Sequence, residues 1–154
     1  MRSKRVESEK PKPLHNQLVL SIKQPWAQLI IEGRKDVEVR SWATPYRGPL
    51  WIHTGQKLDT YASERFNEHD LFRGGIIGSA ELWGIRPFSV KSWEAWRSRH
   101  LNDSPFDEEL GKYGWILRNP KRLEEPIPVK GTVGLFRLPD AVERQLRRKL
   151  KGSL

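Results

Sequence analysis

Residues 20–54 carry the tightest constraint on how this chain can fold: LSIKQPWAQLIIEGRKDVEVRSWATPYRGPLWIHT. Two runs in it alternate with period two. Val37 and Val39 oppose Glu38 and Arg40, and Leu50 and Ile52 oppose Trp51 and His53. Each run therefore reads as a strand with one face toward a core. Ahead of them, Trp26, Leu29 and Ile30 fall at i, i+3 and i+4, a helical stripe opened by Pro25 and stopped by Gly33. Pro45-Tyr46-Arg47-Gly48 turns the chain between the strands. The same stretch gathers charged and planar side chains, and it reads as the wall and floor of a binding cleft.

The remaining chain supplies strands and small helices around this stretch. Residues 18–22 form a short strand, and Leu58, Tyr61, Ala62 and Phe66 mark a helix over 57–66. A long strand follows over 76–85, with Gly78 and Gly84 placed for bends or bulges. Ser92 caps a helix over 93–100, and 102–111 is an acidic loop. A strand over 113–119 ends at an Asn119-Pro120 turn. The stretch 125–129, with two prolines, is confined to a sheet edge. A last strand is expected over 132–138. These elements predict an α+β fold, a partly closed mixed β-barrel of about six strands with small peripheral helices. Residues 1–13 read as a flexible basic arm and 14–138 as the domain. Residues 139–154 read as a basic helix, with Val142, Leu146 and Leu150 on one side and Arg144, Arg147, Arg148 and Lys151 opposite.

Hydrophobic residues make up only 36% of the chain, a deficit that seven Trp, five Phe and three Tyr offset by their large buried areas. Absence of Cys rules out disulfides and thiolate metal sites and fits a reducing cytoplasm. No apolar run reaches the roughly 20 residues of a membrane span, and MRSKRVESEKPKP lacks the apolar centre of a signal peptide. The expectation is a cytoplasmic protein without a membrane partner. The four His are scattered, with no His-x-x-x-His, and no phosphate loop, dinucleotide fingerprint or Gly-x-Ser-x-Gly occurs, so neither metal nor cofactor is expected.

The formal charge is +9, and each end holds five Lys/Arg against two acidic residues. Such a balance draws polyanions through their phosphates. Within the cleft stretch, Lys23 and the start of the Pro25 helix both favour an anion. Trp42 and Tyr46 offer surfaces for stacking bases, and Arg47 offers a phosphate contact. Glu38 can accept from a base amino group, or pair with Arg40 or Lys35. Trp26 is open to a core or a cleft role.

Taken together, Ser21-Ile-Lys-Gln-Pro-Trp-Ala27, Gly33-x-Lys35-x-x-Glu38-x-Arg40-Ser-Trp42, Tyr46-Arg-Gly48 and Trp51-Ile-His53 resemble the ASCH domain, named for activating signal cointegrator homology. Gly75-Ile-Ile-Gly-Ser-Ala-Glu-Leu82, Tyr113-Gly-Trp115, Pro126-Ile-Pro-Val-Lys-Gly131 and Leu135-Phe136 extend the resemblance over residues 17–138. It implies a barrel similar to the PUA domain of RNA-modifying enzymes, with a nucleic-acid cleft beside the first helix. Carried over, the cleft would be lined by Lys23, Gln24, Trp26, Lys35, Glu38, Arg40, Ser41, Trp42, Tyr46, Arg47 and His53, with Lys130 from a distant strand. Some family members are amidohydrolases acting on N4-acetylcytidine through a Lys, a Thr three residues later and a distant Glu. Lys35 matches the Lys, but Glu38 stands at the Thr position, and Asp103 is the nearest loose counterpart of the carboxylate. Ribonuclease activity is also attributed to a family member. The leading expectation is a nucleic-acid-binding module, for RNA before DNA, through a single strand or nucleotide-level contact. The alternative is an enzyme on RNA or a modified nucleoside, with Lys35 and Glu38 as its catalytic pair. A third reading is a protein-interaction domain.

Overall fold

The computed structural model describes residues 17–153, with side chains up to Leu150; the 1–13 arm and the Lys151 side chain lie outside the described residues. Six strands form one sheet: β1 Leu18–Ser21, β2 Val37–Arg40, β3 Gly48–Thr54, β4 Gly75–Pro87, β5 Tyr113–Pro128 and β6 Leu135–Arg137. Around it lie α1 Trp26–Ile31, α2 Thr60–Phe66, α3 Val90–Ala95, α4 Arg97–His100 and α5 Asp140–Ser153. The strand order is β2-β5-β4-β3-β1-β6, with β1 and β3 parallel and the other pairs antiparallel. The sheet curls without closing, because its edge strands β2 and β6 do not pair. No described helix is long and apolar enough to cross a membrane.

Curvature comes from the two long strands. The β4–β5 register shifts at Ile76/Gly78, Ser79/Glu81 and Leu82/Gly84, so bulges sit where Gly78 and Gly84 suggest them. The expected Asn119-Pro120 turn is instead an irregularity inside one continuous strand, with Asn119 at φ 53°. Pro126 and Pro128 are tolerated because β2 pairs with residues 113–116 of β5, which leaves that later stretch, among the described residues, with β4 as its only strand partner.

Both sheet faces are buried, and the alternation of β3 explains how. Leu50 and Ile52 join Leu20, Ile30, Ile77 and Trp115 beneath α1. Trp51 points the other way, into a cluster with Val19, Ile76, Leu123 and Leu146 that α5 covers. A third cluster, Val37, Phe88, Trp93 and Ile116, seats α3 and α4. Helix starts fall slightly off expectation. Asp59 caps α2 by accepting from Ala62 N, so that helix starts at Thr60. Ser89, not Ser92, is the cap of α3; the two form a reciprocal capping box.

The basic face of α5 is only partly free. Glu143 is fully buried, and Trp51 Nε1 donates to both of its carboxylate oxygens, at 2.9 and 2.7 Å. Arg147 follows it inward, donating to Glu143 Oε1 at 3.1 Å and to Gln17 Oε1 at 2.7 Å. Arg144 and Arg148 stay exposed, and Lys149 pairs with Glu125 at 3.0 Å.

Candidate functional site

A cavity of about 1140 Å³ opens where β1 runs into α1 and where the β3–α2 and β5–β6 loops meet. Ser21, Lys23, Trp26, Glu38, Arg40, His53, Lys130 and Thr132 line it, joined by Gln56, Lys57 and Asp59. The β3–α2 loop is fixed there by backbone: Gln24 and Leu58 form a parallel bridge, and Asp59 N donates to Gln24 O at 2.9 Å.

Lys35 is not a cleft group. It is 1% exposed, and its ammonium donates to Val37 O at 2.8 Å and His100 O at 2.7 Å, with Glu38 Oε1 at 3.5 Å. Burial pushes its pKa down, and Glu38 opposes that. Glu38 thus reaches the cleft already neutralised from behind by Lys35 and from the side by Arg40, at 3.1 Å. The Lys35 ammonium also lies 4.8 Å from the Trp26 ring centroid. Trp26 has both roles left open by its sequence. It packs edge-on against Phe66, donates Nε1 to Asp59 Oδ2 at 2.9 Å, and turns its remaining surface to the cavity.

Other sequence candidates lie elsewhere. Gln24 is fully buried: its Oε1 accepts from Gln28 N and its Nε2 donates to Phe72 O, so it satisfies the first turn of α1 where an anion was expected. Trp42 packs edge-on against Trp115, at 4.8 Å between centroids. Tyr46 donates its hydroxyl to Pro49 O, and Arg47 donates to the carbonyls of Thr44 and Tyr46, so both brace their own turn. Ser41 is exposed beside them, outside the cavity lining. Asp103 accepts from Tyr61 and pairs with Arg65, also outside the cavity. Lys57 and Asp59 were missed by sequence reasoning because they read as the start of a helix; Asp59 just ahead of the Tyr61-Ala62 stripe is the cap signal that marks them as loop.

His53 anchors the far wall. Its Nε2 meets Val129 O at 3.0 Å and its Nδ1 meets Ser21 Oγ at 3.0 Å. A carbonyl can only accept, so Nε2 carries the proton and Nδ1 accepts from the serine hydroxyl. Gly131 lies on the imidazole so closely that a Cβ there would fall 2.5–2.8 Å from three ring atoms. His100 is held in the same way, with Nε2 on Trp93 O at 2.8 Å and Nδ1 accepting from Asn102 N at 3.0 Å. Burial depresses both pKa values below 6.5. The unfolded chain therefore takes up these protons first. Stability is fully present above pH 6.5 and falls as pH drops through the folded values, by up to about 1.4 kcal/mol per pH unit for each imidazole. Urea melts from pH 7.5 to 4.5 should show this loss, and His100→Gln should flatten it; an unchanged slope in that variant would count against the assignment.

A partly closed, mixed six-stranded sheet with small peripheral helices places the fold in the PUA-like class of α+β barrels. The ASCH domain model matches residues 20–127, and the chain belongs to the ASCH domain family. Activating signal cointegrator 1 from Homo sapiens is 30% identical over 147 residues, covering 85% of this chain and 24% of that protein. The Mus musculus protein of the same name is 30% identical over 145 residues with the same coverage. The chain thus spans about a quarter of the length of the curated relatives it matches. Among solved structures, ASCH from Zymomonas mobilis superposes with a TM-score of 0.64 at 18% identity, covering 87% of this chain and 95% of that one. A mutant form of it gives 0.63 at 17%, covering 89% and 99%. These matches establish the fold.

Proposed function

We propose that this domain binds nucleic acid, RNA in the first instance, in the cleft between α1 and the β5–β6 loop. One observation carries the reading. Lys23, Lys57 and Lys130 ring the cavity, and among the described residues none has a carboxylate within 4.0 Å. The carboxylates that do face the cavity are already engaged, Glu38 by Lys35 and Arg40 and Asp59 by Trp26 and Ala62. An unneutralised ring of ammonium groups over a cavity of this size suits a phosphodiester strand, with Trp26 as a surface for a base. The enzymatic alternative is less well supported, because the ammonium that would match the catalytic lysine is sealed below Glu38.

Single-strand binding through three phosphate contacts gives a slope of log affinity on log salt near −2. Lys23→Ala, Lys57→Ala and Lys130→Ala should each lower that slope by roughly 0.7. Fluorescence anisotropy of a labelled RNA, with its DNA counterpart as competitor, reads both slope and preference. A triple variant that binds with wild-type affinity at every salt concentration would remove the cleft from consideration.

A further inference from the structure

The far part of the antiparallel β4–β5 pair holds a surface that the cleft does not use. Trp83 is 54% exposed, and Arg118 lays its guanidinium carbon 3.7 Å from the indole centroid. Further along β4, the Arg86 guanidinium carbon lies 5.4 Å from the Trp96 ring. Lys121, paired with Ser79, lies on the Arg118–Glu81 side of the β4–β5 pair nearer the cleft, whereas Arg122, paired with Gly78, points to the opposite side. Among the described residues, none of Arg86, Arg118, Lys121 and Arg122 has a carboxylate within 4.0 Å. Glu81, opposite Arg118 in register, accepts from Asn119 Nδ2 instead.

One stacked Arg–Trp pair would be ordinary surface packing. Arg86, Arg118 and Lys121 beside an exposed indole are a different pattern, since among the described residues none of the three donates to a carboxylate. The chain's own residues 1–13 do not complement them, because that segment carries five Lys/Arg against two Glu. Trp83 stands roughly 30 Å along the strand from Gly74 at the cleft, too far for one nucleotide to touch both.

We propose that the Trp83–Arg118 face is a second nucleic-acid contact, taking a single strand whose bases stack on the Trp83–Arg118 pair while Arg86 and Lys121 hold its phosphates. This does not rest on the cleft reading. The test compares a labelled trinucleotide with a dodecanucleotide, using Trp83→Ala, Trp83→Phe and Arg118→Glu, each with and without the triple lysine variant of the cleft. Trp83→Ala and Arg118→Glu should weaken the dodecanucleotide about tenfold or more, Trp83→Phe should restore most of that, and the trinucleotide should be unaffected. In the cleft-defective background the residual dodecanucleotide binding should vanish with Trp83→Ala. The cleft reading fails if the lysine changes have no effect; this face fails if wild-type dodecanucleotide affinity survives both Trp83→Ala and Arg118→Glu. Displacement of the dodecanucleotide by poly-glutamate at equal charge would also overturn it, in favour of an acidic protein partner.

Discussion

Lys35→Met should lower the unfolding free energy by about 3–5 kcal/mol. Methionine keeps the apolar stem and removes the ammonium. Val37 O and His100 O then lose their donor, and Glu38 keeps only Arg40 as a counter-charge. Removing one partner of a buried ion pair is the costly case, because the other is left desolvated without compensation. At a urea slope near 2 kcal/mol/M, the midpoint should fall by about 2 M. Lys35→Met combined with Glu38→Gln should recover part of the loss, since no uncompensated carboxylate then remains. A single-variant shift below about 1 kcal/mol would mean that Lys35 does not tie Val37, Glu38 and His100 together.

Glu143→Ala should cost about 2–4 kcal/mol, by a different route. The Trp51 indole N–H is buried and donates only to that carboxylate among the described contacts, so truncation strands a donor between the sheet and α5. A cavity adds to the penalty. Glu143→Gln keeps an acceptor of the same shape and should cost less than half as much. Hydrogen exchange along α5 separates the two explanations for any loss: undocking raises exchange in that helix first, whereas global unfolding raises it everywhere.

Sequence patterning was most informative where a short local rule decides the outcome. The alternation of Val37 to Arg40 and Leu50 to His53 placed two strands, although both faces of β3 turn out to be buried, and Gly33, at φ 81°, is the left-handed stop that its position after α1 suggests. Residues decided by distant neighbours were not legible. The chain position of Lys35 gives no hint that the carbonyl of His100 completes its burial, and an aromatic-basic turn looks the same whether Arg47 faces a phosphate or its own backbone. Asn119-Pro120 was misread for a related reason, since a bulge inside a long strand uses the residues of a turn.

The cleft draws Lys23 and Arg40 from one end of the domain and Lys130 and Thr132 from the other, and β1 is flanked by a strand on each side that follows it in sequence. A nascent chain halted before residue 129 therefore lacks part of the lining of this cavity. Synthesis must reach β6 before β1 has both strand neighbours, which makes completion of the cavity a late event in translation, and a carboxy-terminal truncation through β6 leaves one edge of β1 open whatever its effect on the earlier strands.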